Sequence, residues 1–230
     1  MSDYGLKINN TKSEIQIDSV YSNYLLEKTG SISSLEGLST TVSIDNNLYP
    51  PIAAIRPTSD SSGVCGVFDV SYSNPYYTGV RFFGGKEGAG VHGSCSFDYK
   101  IFTLKKELIT SSVSEYGLRI RDSLGNLIYH TLSNSFKILE SGIATIGSTY
   151  SHPNYSNPYY IFSPWHSAIF SHHPGFPFPP MPMYSLKSGL AKISSTSVQM
   201  KWTTCGVVGV AQFIGGVRSS GSTVNLILCE

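Results

Sequence analysis

Three histidines in one short stretch are the first residues of this sequence whose types and spacing suggest chemistry. His166, His172 and His173 lie in "WHSAIFSHHPG", and imidazole nitrogens are common ligands of transition metals. A protein site normally supplies three or four ligands whose rings are oriented by a second acceptor, and no carboxylate lies nearby in the sequence. We therefore expect no cofactor on a single chain, with a metal site built from one histidine per chain around a symmetry axis as the alternative.

Four carboxylates are the candidates for acid and base catalysis of sugar cleavage, which needs a pair of them. Each stands alone beside a strand-like segment, and no G-x-S-x-G, H-E-x-x-H, C-x-x-C or P-loop spacing is present. In the glycine-rich segment 82–94, Lys86 is misplaced for a phosphate cradle. That segment is predicted to be a flexible β-hairpin loop, with a ligand-contacting loop as the alternative. We predict that the protein is not an enzyme. The four acids are Asp69, Glu87, Asp98 and Glu107.

Aromatic residues give the stronger indication of a binding surface. The phrase "YSNPYY" occurs at 72–77 and again at 155–160, and exposed tyrosine and tryptophan rings suit stacking on sugars or docking on a protein. Core packing is the alternative for any such ring, and it is preferred for Trp202. The predicted receptor- or partner-binding residues are Tyr76, Tyr77, Tyr159, Tyr160 and Trp165.

Composition narrows the class of protein. The 230 residues are 40% hydrophobic and 13% charged with a net charge of +1, so we expect no nucleic-acid partner and no electrostatic attachment to a membrane. The polar start "MSDYGLKINN" has no apolar signal region, and the apolar run 205–217 is too short and glycine-rich for membrane insertion. We expect cytosolic assembly with reduced, buried thiols, since no C-x-x-C pair joins Cys65, Cys95, Cys205 and Cys229.

An internal repeat must position these residues. "YGLKINNTKSEIQIDS" (4–19) matches "YGLRIRDSLGNLIYHT" (116–131) at a constant offset of 112 residues, and the register continues as far as Gly30 against Gly142. Such a repeat indicates a duplicated module. Both copies alternate apolar and polar residues around a turn-forming centre, which predicts a β-hairpin in each.

Short Val-, Ile-, Phe- and Tyr-rich segments separated by Gly, Ser, Asn or Pro fill the rest of the chain. Only 23–38 is also compatible with a helix. The pattern predicts an all-β protein, with two β-sandwich-like lobes related by internal duplication. The N-terminal lobe is predicted at 1–112, with its hairpin repeat at 4–30. The C-terminal lobe is predicted at 113–230, with its hairpin repeat at 116–142.

Residues 153–182 form the most unusual segment, because they hold eight of the twelve prolines together with many aromatic residues and three histidines. Proline interrupts helices and sheet ladders, whereas disordered segments are poor in aromatic residues. We predict a long ordered loop or extended arm covered by its own subunit or by a partner. The second "YSNPYY" lies here, and it belongs either to the duplication or to a recurring Asn-Pro turn.

The repeated Tyr-Gly-Leu-Lys/Arg-Ile hairpin resembles a motif of small structural proteins of tailed bacteriophages, found among tail-tip and tail-fibre-associated proteins. The likeness covers about 60 residues, as counted over the matching segments. In the first copy the turn glycine is missing, and in the second copy His130 replaces the usual Asp. The matching residues are Tyr4, Gly5, Leu6, Ile8, Ile15, Ile17, Asp18 and Ser19, then Tyr116, Gly117, Leu118, Ile120, Asp122, Gly125, Asn126 and Leu127.

This resemblance implies a virion structural protein of the tail tip, fibre or spike, assembled in the host cytoplasm. It would act as an adaptor or host-attachment adhesin, with other virion tail proteins and a host surface glycan or protein as partners, and it would form a homo-oligomer, with a trimer favoured. The alternative is a lectin-like carbohydrate-binding β module. A glycan-degrading enzyme is the least favoured hypothesis.

Overall fold

The computed structural model describes residues 7–9, 15–18, 24–36, 39–58, 62–87, 93–104, 119–121, 127–130, 136–163, 167–171, 181–211, 216–219 and 223–230. Every regular element in these ranges is a β-strand, which confirms the predicted all-β class. The segment 23–38, for which a helix was considered, contributes a strand. The strands are β1 (Lys7–Asn9), β2 (Ile15–Asp18), β3 (Leu25–Glu36), β4 (Ser39–Asn47), β5 (Ile52–Pro57), β6 (Gly63–Ser73), β7 (Tyr76–Lys86), β8 (Ser94–Thr103), β9 (Arg119–Arg121), β10 (Leu127–His130), β11 (Ile138–Thr145), β12 (Thr149–Ser151), β13 (Tyr159–Ser163), β14 (Ser167–Ser171), β15 (Met181–Ser194), β16 (Ser197–Ala211), β17 (Gly216–Ser219) and β18 (Thr223–Cys229).

Two antiparallel sheets pack face to face. One has the strand order β11-β18-β13-β5-β8-β3, and the other has the order β12-β16-β15-β6-β7-β4 with β14 and β17 added beside β15. The two predicted hairpins, β1–β2 and β9–β10, form separate two-stranded sheets. Strands of both sheets supply one central hydrophobic cluster.

The internal duplication is visible in these strand orders. If β3, β4, β5, β6, β7 and β8 correspond to β11, β12, β13, β15, β16 and β18, each sheet has the same order when counted outward from its centre in either direction. The strands β14 and β17 have no counterpart among the described residues of the first half. Apart from these two strands, each sheet takes three strands from each half of the chain.

Irregularities of the strands are repeated as well. Opposite pairs in the first hairpin are Lys7 with Asp18 and Asn9 with Ile15, and the residues 112 positions later pair identically in the second hairpin, with the bulge at the same place. A second bulge lies between Leu26 and Lys28 in β3 and between the matching residues of β11. A bulge marks one extra residue in one strand, so its recurrence supports descent from one module.

Two strand pairs form the seam between the halves. Tyr160 of β13 lies opposite Ile55 of β5 in one sheet, and Leu190 of β15 lies opposite Cys65 of β6 in the other. The predicted boundary between residues 112 and 113 falls outside the described residues.

Alternating burial explains why these segments are strands. In β18, Val224, Leu226 and Leu228 are buried whereas Thr223 and Asn225 are exposed, as expected for a strand with one face on the core. Large side chains such as Phe82 and Phe97 are fully buried, and burial of each stabilises the fold by about 1.5–3 kcal/mol relative to exposure.

A smaller cluster covers the outer face of the six-stranded sheet near the seam. Eight of its nine members, all except Leu26, come in pairs related by the duplication, namely Tyr24 with Phe136, Ile52 with Tyr159, Ala54 with Ile161, and Phe102 with Cys229. The backbone N–H of Phe136 donates to the carbonyl of Tyr24 over 2.9 Å. The chain segments that enter the two halves therefore meet at one point on this face.

The thiols agree with the prediction as far as they are described. Cys65, Cys95 and Cys229 are free and buried, and burial raises the pKa of Cys95 and of Cys229 to about 12. The side chain of Cys205 lies outside the described residues.

Two connections differ in part from the sequence interpretation. The segment 82–94 was predicted to close a hairpin, but β7 and β8 belong to different sheets, so it is a crossover between sheets. The hairpin prediction failed because glycine content marks a turn without identifying the sheets it joins. Within 153–182, the described residues include β13, β14 and the start of β15, so strands as well as loop form this segment.

Candidate functional site

The four predicted tyrosines separate into two places. Tyr76 and Tyr77 begin β7 at the turn of the β6–β7 hairpin, whereas Tyr159 and Tyr160 begin β13 at the seam. The two "YSNPYY" copies thus occupy different connections, one within a hairpin and one between the sheets. The copies are therefore not counterparts in the duplication, which was one of the two interpretations of the sequence.

A tyrosine patch surrounds the first copy. Tyr77 lies opposite Tyr72 in β6 and opposite Asn47 in β4, so these three side chains share one face of the sheet. The rings of Tyr72 and Tyr77 are 5.1 Å apart. We use "tyrosine patch" for the exposed or partly exposed side chains Leu48, Tyr49, Tyr72 and Tyr77. Tyr76 lies next to Tyr77 in β7 and points to the opposite face of the sheet.

Asn47 lies under the tyrosine patch with one unsatisfied group. Its Oδ1 accepts a hydrogen bond from the backbone N–H of Tyr49 at 3.2 Å, which identifies Nδ2 as the donor end. This buried Nδ2 has no hydrogen-bond partner among the described residues. Buried donors are rarely left unpaired in native proteins, so an enclosed water is the expected partner of this group.

Tyr160 faces the core and is 2% exposed. Its hydroxyl is 2.6 Å from Nε2 of the fully buried His152, and Nδ1 of His152 is 2.9 Å from the carbonyl oxygen of Tyr155. A carbonyl only accepts, so Nδ1 carries the proton and Nε2 accepts from Tyr160. Burial raises the pKa of Tyr160 well above its usual value. This ring stabilises the fold and is not presented on the surface.

Tyr159 lies on the opposite face of β13 beneath two cations. The guanidinium carbon of Arg56 is 4.6 Å from the ring centre, and Nζ of Lys100 is 4.7 Å from it. Cations at this distance are attracted by the electron-rich ring face. The contact joins β5 and β8 of the first half to β13 of the second.

A cavity of about 520 Å³ opens beside Tyr159, and we call it the seam pocket. The second "YSNPYY" copy forms one wall, and the ends of β11 and β18 form another. Both halves of the chain contribute to it. The lining residues are Arg56, Lys100, Lys137, Leu139, Asn154, Tyr155, Ser156, Asn157, Pro158, Tyr159, Cys229 and Glu230.

Ion pairs occupy most charges of the seam pocket. Arg56 donates from Nε at 3.1 Å and from Nη2 at 2.6 Å to Asp98, and Nζ of Lys137 is 3.0 Å from Glu230. Burial alone would raise the pKa of Asp98, but hydrogen bonds from Ser31 and Arg56 and the charge of Arg56 lower it. Asp98 is therefore an ionised partner of Arg56 at neutral pH.

The loop that forms the wall of the seam pocket is fixed in place. The hydroxyl of Tyr155 donates to the carbonyl of Leu139 at 3.1 Å, and the backbone N–H of Asn157 donates to Ser195 at 2.6 Å. Asn157 has a φ of 50°, in the left-handed region that asparagine tolerates better than most residues. The loop is thus held by contacts on both sides.

Each of the described candidate acids forms an ion pair with a different cation. Asp69 pairs with Arg81, Asp98 with Arg56, and Glu87 with Lys201. Glu107 lies outside the described residues. These carboxylates form ion pairs with cations and do not form a pair with each other.

The predicted histidine cluster cannot be located. Trp165, His166, His172 and His173 lie outside the described residues. Within the described ranges, no group of three or more His, Cys, Asp or Glu side chains is arranged to hold a metal ion. Trp202, for which core packing was preferred, is partly buried in β16.

Sequence reasoning missed the cations of the seam pocket. The second "YSNPYY" indicated the loop at 155–160, but Arg56 and Lys100 come from strands far away in the sequence. Alternation of apolar and polar residues in β8 marks Lys100 as outward-facing, whereas β5 has no such alternation around Arg56. No local sequence pattern indicated that β5 and β8 lie close to β13 in the fold.

No family model matches the chain, and no curated protein or solved structure is significantly similar to it. In the part of the chain that the structure describes, no helix could span a membrane.

Proposed function

We propose that this protein is a structural component of a bacteriophage virion, located in the tail tip, fibre or spike apparatus, where it acts as an adaptor or host-surface adhesin. The observation that carries the proposal is the repeated hairpin, which has the same register and the same bulge in both copies. The Tyr-Gly-Leu motif of this hairpin is the part of the sequence that resembles tail proteins.

The attachment of the hairpins supports a docking role. β2 ends six residues before Tyr24, and β10 ends six residues before Phe136. Six extended residues span at most about 21 Å, and Tyr24 and Phe136 are hydrogen-bonded to each other. Both hairpins therefore leave the sandwich from one point on one face, which places two similar units within reach of one neighbour.

Strand edges provide the chemistry for that docking. A two-stranded hairpin is only marginally stable alone in water, and its edges carry N–H and C=O groups that can pair with another chain. A neighbouring subunit or another virion tail protein that adds a strand to each hairpin would satisfy both conditions. We infer assembly in the host cytoplasm into a homo-oligomer, with a trimer favoured.

The first test is the mass of the purified protein by light scattering behind a sizing column. A trimer of about 75 kDa is expected, three times the 25.0 kDa of one chain. Proline at Ile17 or at Tyr129 fixes φ and removes a backbone N–H in the middle of a strand, and so disrupts one hairpin. Each variant is expected to shift the mass towards 25.0 kDa without changing the thermal unfolding midpoint of the sandwich.

The conservative variants Ile17→Val and Tyr129→Phe are the matched controls, and they are expected to keep the wild-type mass. A wild-type protein that stays monomeric at all concentrations would contradict the oligomer. Proline variants that keep the wild-type mass would contradict the role of the hairpins in assembly.

Carbohydrate binding is the second candidate function, and the tyrosine patch favours it. Exposed tyrosine rings offer flat, partly polar surfaces on which a sugar ring can stack. The rings of Tyr72 and Tyr77 lie 5.1 Å apart and together form a wider stacking surface. This surface lies at the first "YSNPYY" copy, where Tyr76 and Tyr77 were predicted to bind.

Alanine in place of Tyr72 and Tyr77 is expected to abolish any signal on a glycan array, because it removes the two rings that lie side by side on one face. Since Tyr72 is exposed and Tyr77 is partly exposed, the pair of substitutions is expected to destabilise the protein by no more than about 2 kcal/mol. Alanine at the exposed Ile143 on β11 is the control. Equal glycan signals in the two proteins would exclude the tyrosine patch as the sugar site.

A further inference from the structure

The seam pocket has the dimensions and composition of a small-molecule site. Its volume is about 520 Å³, within the range of roughly 300–1,000 Å³ that is typical of ligand pockets. Its wall combines aromatic and aliphatic surface with three cationic side chains and several amide and hydroxyl groups. The pocket lies at the seam on the second "YSNPYY" copy, away from the tyrosine patch.

Comparison of the two halves shows that the charges are not required by the fold. Arg56 lies opposite Asp98 in the β5–β8 ladder, and the equivalent pair in the β13–β18 ladder is Ser163 opposite Asn225. By the same register, the counterpart of Lys100 is Ile227. The same strand pairing thus forms in the second half without any charged residue. The two cations are therefore found only in the first half of the chain, where they face the seam pocket.

One cation of the seam pocket has no ionic partner. Arg56 is bonded to Asp98, and Lys137 is bonded to Glu230. Lys100 makes no salt bridge with any carboxylate in the described ranges, and its Nζ lies over the ring of Tyr159. Among the cationic side chains of the pocket, only the ammonium group of Lys100 is therefore left without a described carboxylate within salt-bridge distance.

One unpaired ammonium group matches a single carboxylate. A charge-assisted hydrogen bond from an ammonium group to a carboxylate is stronger than a neutral one. A phosphate dianion would require a second free cation, and Arg56 has already used Nε and Nη2 on Asp98. The charge balance therefore favours a monoanion.

Groups beside Lys100 suit the hydroxyls of such a ligand. Asn154, Ser156 and Asn157 line the pocket on the loop that faces the two cations. Amide and hydroxyl side chains both donate and accept, as sugar hydroxyls do. Arg56 reaches the carbonyl of Asn157 through Nη1 at 3.5 Å, so the polar wall and the charged wall are held next to each other.

We propose that the seam pocket binds a small hydroxylated carboxylate of the sugar-acid class, with the ligand carboxylate on Lys100 and the ligand hydroxyls on the 154–157 loop. The inference does not depend on the virion role. A hairpin-mediated assembly and a ligand in this pocket can each be present without the other.

Titration of the isotopically labelled full chain, followed by amide NMR, tests the pocket. Glucuronate, glucose and inorganic phosphate are the three probes. Glucuronate is expected to shift the amide signals of residues 154–159, and glucose and phosphate are expected to bind at least about tenfold more weakly. Lys100→Gln is expected to weaken glucuronate binding at least about tenfold, the factor for losing one hydrogen bond to a charged group.

Two further variants keep the result unambiguous. Lys100→Arg retains the charge and is expected to bind glucuronate within a few-fold of wild type. Lys192→Gln removes a lysine of β15 that is outside the pocket lining, and it is expected to change nothing. The proposal is overturned if glucuronate does not bind, if Lys100→Gln binds it like wild type, if glucose binds equally well, or if phosphate binds as tightly and marks a general anion site.

Discussion

Alanine at Gly189 is expected to destabilise the protein by about 2–3 kcal/mol, the upper part of the range for overpacking a dense interior. A Cβ at this position would lie 2.6 Å from the carbonyl oxygen of Cys65 and 2.9 Å from a methyl carbon of Val64. The nearest atom belongs to the backbone of β6, so relief requires moving β15 away from β6. These strands are joined at the seam through Leu190 and Cys65.

The sign of this effect is opposite to the usual one. A glycine-to-alanine change at an ordinary backbone position stabilises by about 0.4–1 kcal/mol because the unfolded chain loses entropy. Gly189 lies in the strand β15, where alanine can adopt the backbone conformation. A loss of stability must therefore come from the short contact between the added Cβ and β6. Urea unfolding monitored by circular dichroism measures the difference.

Gly142→Ala is the matched control for Gly189→Ala. Its Cβ would lie 2.5 Å from the hydroxyl oxygen of Tyr150, an equally short contact, but with the far end of a partly exposed side chain. Displacing this ring breaks the hydrogen bond from its hydroxyl to Glu140 but leaves the backbone in place, so we expect a loss of about 1 kcal/mol, smaller than for Gly189→Ala. Equal losses in the two variants would show that the seam is not more tightly packed than the sheet edge.

The duplication was predictable from the sequence because it preserves local features. The match of Gly30 to Gly142 extends the repeat into β3 and β11, and both glycines are covered by a tyrosine ring, from Tyr99 and Tyr150 respectively. Such cover compensates for a missing side chain in a strand. The alternation of apolar residues likewise determined the all-β class.

The arrangement of the halves was not predictable in the same way. Pairing of Ile55 with Tyr160 joins residues 105 positions apart, and an alternating pattern states which face of a strand is buried without naming its neighbour. The seam pocket depends on this pairing, because Lys100 and Arg56 reach Tyr159 only when β5 and β13 are adjacent. The tyrosine was visible in the sequence, and its cations were not.

His152 shows a second limit of sequence reasoning. It follows β12 among turn-forming residues, where a histidine is normally taken as exposed. The fold instead buries it completely between Tyr155 and Tyr160. The neighbouring "YSNPYY" was interpreted as a surface motif, whereas one of its tyrosines packs inward to bond this histidine.

Phenylalanine at Tyr160 is expected to destabilise the protein by about 1–3 kcal/mol. The substitution preserves the ring and its packing but removes the hydroxyl that donates to Nε2 of His152. Because Nδ1 is committed to the carbonyl of Tyr155, Nε2 would remain a buried acceptor without a donor, and that is the costly outcome of breaking a buried hydrogen bond.

Tyr72→Phe supplies the comparison for Tyr160→Phe, since it removes a hydroxyl from an exposed tyrosine. That hydroxyl donates to Oδ1 of Asn74 at 3.2 Å, and water can replace the bond at no more than about 0.5 kcal/mol. Urea unfolding of the two variants isolates the effect of burial from the effect of the chemical change. A Tyr160→Phe protein as stable as Tyr72→Phe would mean that Nε2 finds another donor, and the fixed tautomer of His152 would then have to be reassigned by the nitrogen chemical shifts of its ring.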